Sequence, residues 1–329
     1  MGVKGWDFIP WRWASVSELS QNKIAIDVFN YMIRRMSTIR RISRTHERIP
    51  LTHVTIALSL IRTAMRLKIT PIFVFDGPPE SLKREAHPDL VNTALGLYRW
   101  FEKEGDPFNE EIAKALNHSA ALRTYFAAKH LKDICSALGV PTVDAPSEAE
   151  MMCAAICQKE IAGTVVSNDM DAILFGSPHV TRSLQLSKRQ MECVTLNGIQ
   201  EIIDLELEEL RDLAIVCGCD FHKKGIPGIG PRRGVILLRR FGGLEGLLKA
   251  RGYTSLERED FIEARAVFDE TRYLDMNEIS STLQPPITSR VKRLLSPILG
   301  LERSESAIDT FVGLWKKFFI VQDTLEAWI

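Results

Sequence analysis

The chain has 329 residues, 45% of them hydrophobic and 26% charged, with 42 Lys+Arg balancing 42 Asp+Glu for a formal net charge of zero. This composition excludes a disordered or low-complexity chain and allows one large α/β domain or two ordinary ones. Balanced charge supplies no bulk attraction for a polyanion, so an anionic partner has to be held by local patches or by metal ions.

The N-terminal stretch MGVKGWDFIPWRW lacks the apolar core of a signal peptide, and Trp6 stands where a myristoylation site needs Ser or Thr. No apolar run reaches the roughly 18 residues of a membrane span. The cysteines (Cys135, Cys153, Cys157, Cys193, Cys217, Cys219) form no CxxC pair, and scattered thiols suit a reducing compartment. These features predict a soluble intracellular protein with no membrane association and no signal for oligomerisation.

Along the chain, KIAID (Lys23–Asp27), PIFVFDG (Pro71–Gly77) and TVVSND (Thr164–Asp169) share one grammar: a short β-rich apolar run stopped by an aspartate. After the first run, RRMSTIRRISRTHERI gathers Arg34, Arg35, Arg40, Arg41, Arg44 and Arg48. Helical patterns occupy 51–67, 110–138 and 148–161, and Cys153 and Cys157 read as core positions of the last. Strands alternating with helices predict an α/β fold with a parallel sheet. Ligands of such sheets bind beyond the carboxyl ends of the strands, so Asp27, Asp76 and Asp169 are predicted to converge. The stretch 78–109 is rich in Pro, Gly and charge, with a helical middle, and reads as an insertion standing above the sheet. From about residue 205 the pattern is helical: LEELRDLAIVC places Leu210, Leu213, Ala214 and Cys217 on one face, GCDFHKKGIPGIGPRRG interrupts, and VILLRRFGGLEGLLKA resumes.

Acidic residues recur at the strand ends and beside the helices: Asp27, Asp76, Glu148, Glu150, Asp169, Asp171 and Asp220. Each has a plain reading alone. Ser147 and Glu150 fit a capping box, Asp76-Gly77 fits a turn, and Asp27 fits a strand terminator. Taken together they say more. Asp169 and Asp171 share a face if the chain stays extended there, and two carboxylates ~4 Å apart repel by ~4 kcal/mol at an effective dielectric of ~20. Such a group would either take up protons or need cations, and oxygen ligands without His or Cys suit Mg²⁺, with Mn²⁺ as substitute, better than Zn²⁺. Two ions ~3.5–4 Å apart suit phosphodiester hydrolysis. Glu148 and Glu150 would diverge by ~200° on a regular helix, so one of them is expected to reach metal through water. In GIPGIGPRRG, Gly228 and Gly230 precede a helix whose free N–H groups can hold a phosphate, and Lys223, Lys224, Arg232 and Arg233 flank it. Contacts there would be to backbone phosphates, with low sequence preference; the alternative is a tight helix–helix turn with solvated charges.

The start Met1-Gly2-Val3, IAIDVFN (24–30), VFDGPP (74–79), APSEAE (145–150), SNDMDAILFG (167–176) and GCDF…GIPGIGPRRG (218–234) together resemble the flap endonucleases and their XPG-type structure-specific 5′ nuclease relatives, in a compact archaeal-like form. The resemblance spans nearly the whole chain. It implies a PIN-like nuclease domain over 1–318, with a helical arch at about 78–132 and a helix–two-turn–helix element at about 205–250 that binds duplex DNA and a K⁺ ion. It implies hydrolysis of 5′ flaps at single-strand/duplex junctions in replication and repair, with two Mg²⁺ ions held by Asp27, Asp76, Glu148, Glu150, Asp169, Asp171 and Asp220. Gly2 matches an N-terminus near the active site, and Lys83 a basic residue that positions the scissile phosphate. Leu90 stands where the family has a second cation, with Arg84 or Arg99 as substitutes. Arg123, Lys129 and Lys132 are the main basic residues of the arch helices. Tyr31 lies two residues before the position of a DNA-stacking aromatic. The cluster at 34–48 corresponds to a region bordering the DNA junction. The final QDTLEAWI resembles a sliding-clamp (PCNA) binding box through Gln322, Leu325, Trp328 and Ile329, which predicts a tail over 319–329 that folds as one helical turn on docking. A 5′ exonuclease or junction resolvase of the same superfamily, and a non-catalytic clamp-bound scaffold, are the alternatives.

Overall fold

The computed structural model describes residues 6, 9–19, 21–31, 52–77, 120–276 and 279–326. Its strands are β1 (Arg12–Ser15), β2 (Lys23–Asp27), β3 (Thr70–Phe75), β4 (Thr142–Asp144), β5 (Thr164–Val166), β6 (His179–Gln185) and β7 (Gln190–Thr195). Its helices are α1 (Thr52–Arg66), α2 (Ala120–Ala137), α3 (Ala149–Gln158), α4 (Asp171–Leu174), α5 (Leu196–Ile203), α6 (Leu207–Cys217), α7 (Pro231–Phe241), α8 (Leu244–Ala250), α9 (Ser255–Ala266), α10 (Thr288–Leu299) and α11 (Leu301–Glu326). The chain divides into two compact units, one of 1–21, 77–85 and 145–278, the other of 22–76, 86–144 and 279–329.

In the second unit β2, β3 and β4 pair in parallel. Every residue of β3 is buried, the mark of a parallel strand covered on both faces. Helix α1 turns Val54, Ala57, Ile61 and Ala64 inward, each 0% exposed, at the 3- and 4-residue steps of an amphipathic helix. It meets α2 through a buried imidazole pair, His53 Nε2 and His130 Nδ1, which share a hydrogen bond of 2.9 Å. Helices α10 and α11 form a hairpin, with α11 against α1 and α10 against α2. Arg290 of α10 donates to Asp133 of α2 at 3.1 Å. Lys68 donates to the carbonyls of Lys317 and Phe318 on α11.

In the first unit β5 and β6 are parallel, while β6–β7 and β7–β1 are antiparallel. Helix α3 is apolar nearly all round and buried from Met151 to Cys157, so Cys153 and Cys157 are core as the sequence predicted. Burial pushes the Cys157 thiol up to about 12, which keeps it protonated and unreactive. Helices α6 to α9 follow. Leu210, Leu213 and Ala214 of α6 are fully buried, and Cys217 is half-buried. A Cβ on Gly234 of α7 would come within 2.5 Å of Leu213 Cδ1, so α7 crosses α6 closely at a residue without a side chain. Gly230 is the N-cap of α7, Pro231 its first residue and Gly242, at φ 72°, its left-handed C-cap, the expected Pro-start and Gly-stop of a helix.

Among the described residues no helix is long and apolar enough to cross a membrane. Helix α11 runs without a break through the expected boundary at 318/319 and includes Gln322 and Leu325. No Gly or Pro follows Gly313 to stop it, and extending an existing helix costs far less than starting one.

Candidate functional site

Two of the three strands that the sequence ended with an aspartate deliver it to a strand terminus, while Asp169 lies beyond the end of β5 at Val166. Asp27 is the last residue of β2 and is 1% exposed. Its Oδ1 accepts the backbone N–H of Asn30 at 3.0 Å, so a carboxylate caps the turn that follows the strand. Asp76 comes directly after β3. The next residue, Gly77, donates its N–H to Ser147 O at 2.7 Å. A Cβ at Gly77 would lie 2.3 Å from Ala145 O, so only glycine lets the two chain segments touch. Within the first unit, Glu148 and Glu150 each offer a carboxylate oxygen within 4.8 Å of the other.

The capping box expected of Ser147 and Glu150 is not formed. The N-cap of α3 is Glu148, in extended conformation and with no side-chain cap bond, and the Ser147 hydroxyl is buried without a hydrogen-bond partner. Because Glu148 lies outside the helical turn, the ~200° divergence of a regular helix does not separate it from Glu150, and both reach the same point.

A carboxylate trio lies in the same unit: one oxygen each of Asp169, Asp171 and Asp220 falls within 4.8 Å of the others. The expectation that Asp169 and Asp171 share a face of extended chain is not met. The backbone turns at Met170 (φ −81°, ψ −11°), and Asp171 opens the one-turn helix α4. Ser167 Oγ accepts the Asp169 N–H at 3.1 Å, and Asp169 Oδ1 accepts the Asp171 N–H at 3.4 Å. A tight turn thus brings together the acids that the pleat was expected to align.

Asp220 arrives from the loop after α6. Gly218 leaves that helix at φ 94°, and Cys219 and His222 exchange backbone hydrogen bonds of 3.2 Å around Asp220. The loop then folds back on α6 through Ile226 N–H to Val216 O at 2.8 Å. Gly225, at φ +55°, permits this, since a Cβ there would lie 2.6 Å from Gly218 N. Beyond it Gly228 (φ +76°) and Gly230 face open space, with no atom within 4 Å of where a Cβ would stand. Lys223, Lys224, Arg232 and Arg233 are all exposed around this opening, and Arg233 donates to Gly228 O at 3.3 Å.

The Asp169–Asp171–Asp220 trio contains no nitrogen or sulfur ligand, and an all-oxygen set of this kind fits a hard divalent cation. Other sequence candidates are engaged elsewhere. Lys132 donates to both carboxylate oxygens of Asp144, at 2.6 and 2.5 Å, Lys129 is half-buried, and Tyr31 is 6% exposed, which removes its ring from stacking. Gly2, Arg34 to Arg48, Lys83, Arg84, Leu90, Arg99, Trp328, Ile329 and the side chains of Arg123, Gln322 and Leu325 lie outside the described residues.

The sequence pattern leaves one group unmarked. Arg211 sits beside the apolar stripe of α6 and is 2% exposed. A lone cation next to Leu210 on an otherwise apolar face was the available signal.

The XPG N-terminal domain model matches residues 1–92, and the XPG I-region model matches 139–220. Flap endonuclease 1 of Methanocaldococcus jannaschii is 32% identical over 337 residues, covering 100% of this chain and 99% of that protein. The chain belongs to the XPG and flap endonuclease family. As a member it is a structure-specific nuclease. The solved flap endonuclease-1 from Methanococcus jannaschii superposes with a TM-score of 0.72 at 27% identity, over 95% of this chain and 98% of that one. The catalytic core of Rad2 in complex with DNA substrate shares the fold, with a TM-score of 0.60 at 20% identity over 94% of this chain and 100% of that one. Asp76 falls in the first matched region, and Glu148, Glu150, Asp169, Asp171 and Asp220 fall in the second.

Proposed function

We propose that this nuclease binds branched DNA and cuts 5′ flaps at single-strand/duplex junctions in replication and repair, using two divalent cations. The observation that carries the reading is the carboxylate trio Asp169–Asp171–Asp220, with Asp76, Glu148 and Glu150 proposed as further ligands. So much negative charge on a DNA-facing surface would weaken a mere binder, and it disfavours the non-catalytic scaffold. Mg²⁺ is the proposed ion, with Mn²⁺ as substitute, and Asp27 completes the ligand set. Bound there, the ions lower the pKa of the attacking water and neutralise charge on the phosphate and the leaving oxygen. In this reading the carboxylates would hold the ions, Lys83 would align the scissile phosphate, and Gly2 matches the family's N-terminus near the active site. The expected products carry a 5′-phosphate and a 3′-hydroxyl.

The loop 223–233 is the proposed duplex-backbone contact, with Arg84 beside the junction. Its open glycines leave room for a phosphate or a K⁺ ion at Gly228 and Gly230. The two units are each assembled from three separated stretches of chain, so neither can be cut out as a contiguous piece, in keeping with one nuclease domain over 1–318. Gln322, Leu325, Trp328 and Ile329 are proposed to dock on the sliding clamp. The protein acts as a monomer on chromosomal DNA inside the cell.

End-labelled 5′-flap, gapped, nicked and four-way substrates, incubated with Mg²⁺ and then with EDTA, test this. Flap cleavage with Mg²⁺ alone is expected, at a higher rate than on the other substrates. Preferred cutting of nicked or four-way DNA would move the assignment to an exonuclease or resolvase, and cleavage in EDTA would overturn the metal reading.

A further inference from the structure

We propose that Arg211 is a positioning residue that holds the Asp169–Asp171–Asp220 trio at metal-binding geometry from behind; the proposal rests on the metal-dependent reading above. Its guanidinium joins three parts of the first unit. Nε donates to Leu174 O at 2.7 Å, Nη2 to Phe268 O at 2.9 Å, and Nη1 to Glu208 Oε1 at 3.0 Å and Asp269 Oδ1 at 2.8 Å. Leu174 is the last residue of α4 and Asp171 the first. At ~1.5 Å of rise per residue the two ends of this single turn lie ~5 Å apart. Fixing one end therefore fixes the other, and a cation at a helix C-terminus is favourable in itself.

Asp220 is tied to the same block. The ring of Phe221, the next residue, lies 5.2 Å from Phe268 and 6.0 Å from Phe175, and Phe175 lies 5.2 Å from Phe268. Phe175 directly follows Leu174, and Phe268 supplies the carbonyl that accepts from Nη2. Both loops that carry acids of the trio thus leave from one cluster of three rings, pinned by one guanidinium. Glu208 and Asp269 are oriented in turn by Arg265, which bonds both and also reaches Asp212 at 3.1 Å. A lysine cannot replace this fork, because one ammonium cannot span two carbonyls and two carboxylates in fixed directions.

The trio has every reason to drift apart without such a brace, since three carboxylates repel. A purely structural Arg211 would lower stability when removed and leave ion affinity alone. The two are separated by measuring Mn²⁺ binding to the full-length protein, with free Mn²⁺ read by its paramagnetic resonance signal, beside the Mg²⁺ concentration that half-saturates flap cleavage. Arg211→Met is expected to weaken one class of Mn²⁺ site roughly tenfold and to raise the Mg²⁺ half-saturation by the same factor. DNA affinity in Ca²⁺ should stay unchanged, and Arg211→Lys should be intermediate. Val291→Ala, a core variant in α10, is expected to melt earlier with no change in Mn²⁺ affinity. An Arg211→Met protein that melts earlier yet binds Mn²⁺ as wild type overturns the proposal. Should that variant not fold, Asp269→Asn reads the same quantity, with about a threefold weakening expected and no change overturning it. A wild-type protein that binds no Mn²⁺ or cuts in EDTA defeats the underlying metal reading and is distinguished by needing no variant at all.

Discussion

Four of the acids are presented by different local devices: Gly77 for Asp76, the N-cap for Glu148, a serine-backed turn for Asp169 and the start of α4 for Asp171. Carboxylates this close oppose folding until a cation arrives, so removing one should stabilise the metal-free protein and destroy its activity, the trade expected at a functional site. Asp171→Asn is predicted to raise the melting temperature in EDTA. It should lower single-turnover cleavage by at least about a thousandfold, equivalent to ~4 kcal/mol, while gel-shift affinity for flap DNA persists. A second residue-scale prediction concerns His53 and His130. Burial holds both imidazoles neutral, with His53 well below its usual range and His130 at about 4, although the nearby Asp133 pulls the latter up. Below pH 6.5 the unfolded chain takes up protons that the folded pair refuses. Stability is therefore fully present above that pH and falls as pH drops towards 4, by on the order of 3 kcal/mol for His130. Denaturant titrations at stepped pH should show this limb, and a His53→Gln, His130→Gln double variant should flatten it.

At the scale of elements, the stretch from α6 to α7 turns on two glycines of different kinds. Gly225 combines φ +55° with a Cβ site 2.6 Å from Gly218 N, whereas Gly228 has φ +76° in open space. Gly225→Ala is predicted to lower stability by at least about 3 kcal/mol, because the backbone must move, and Gly228→Ala by about 1 kcal/mol of local strain. Thermal melts of the two variants rank them. Between and beside these glycines the exposed Lys223, Lys224 and Arg232 should each act through phosphate. Replacing any one by alanine is expected to weaken duplex binding uniformly across sequences and to reduce the slope of log affinity against log salt by about 1, as measured by fluorescence anisotropy. Helix α11 makes a further point. Its unbroken course to Glu326 means that a clamp-binding end would be offered as existing helix, with less ordering to undergo on docking.

For the whole molecule, the interleaving of the two units predicts that truncation at any internal boundary yields a chain without a stable core, whereas changes at the extreme end are tolerated. Trp328→Ala is therefore expected to abolish stimulation of cleavage by the sliding clamp while leaving cleavage of free flap DNA at the wild-type rate. Paired assays with and without clamp check both halves of that statement. The family match across the full chain and the all-oxygen trio meet in one nuclease, and the balanced net charge fits a protein that meets its polyanion through small patches and bound cations.

The strands β2, β3 and β5, the inward face of α6, and the acids Asp169, Asp171 and Asp220 were legible in sequence, because apolar periodicity and residue chemistry are local properties. So was the family, whose motifs are short and keep their order. Tertiary structure alone decided how the acids meet. Asp169 and Asp171 converge through a turn into α4 and not along a strand, and Glu148, without a side-chain cap bond, holds the N-cap position that a capping box would give Ser147. It also decided that Lys132 is spent on Asp144, that Tyr31 is buried, and that Arg211 reaches across to Leu174 and Phe268. The physical reason is common to all of these: a side chain's type is written in the chain, whereas its partner is whatever group long-range packing brings within about 3 Å.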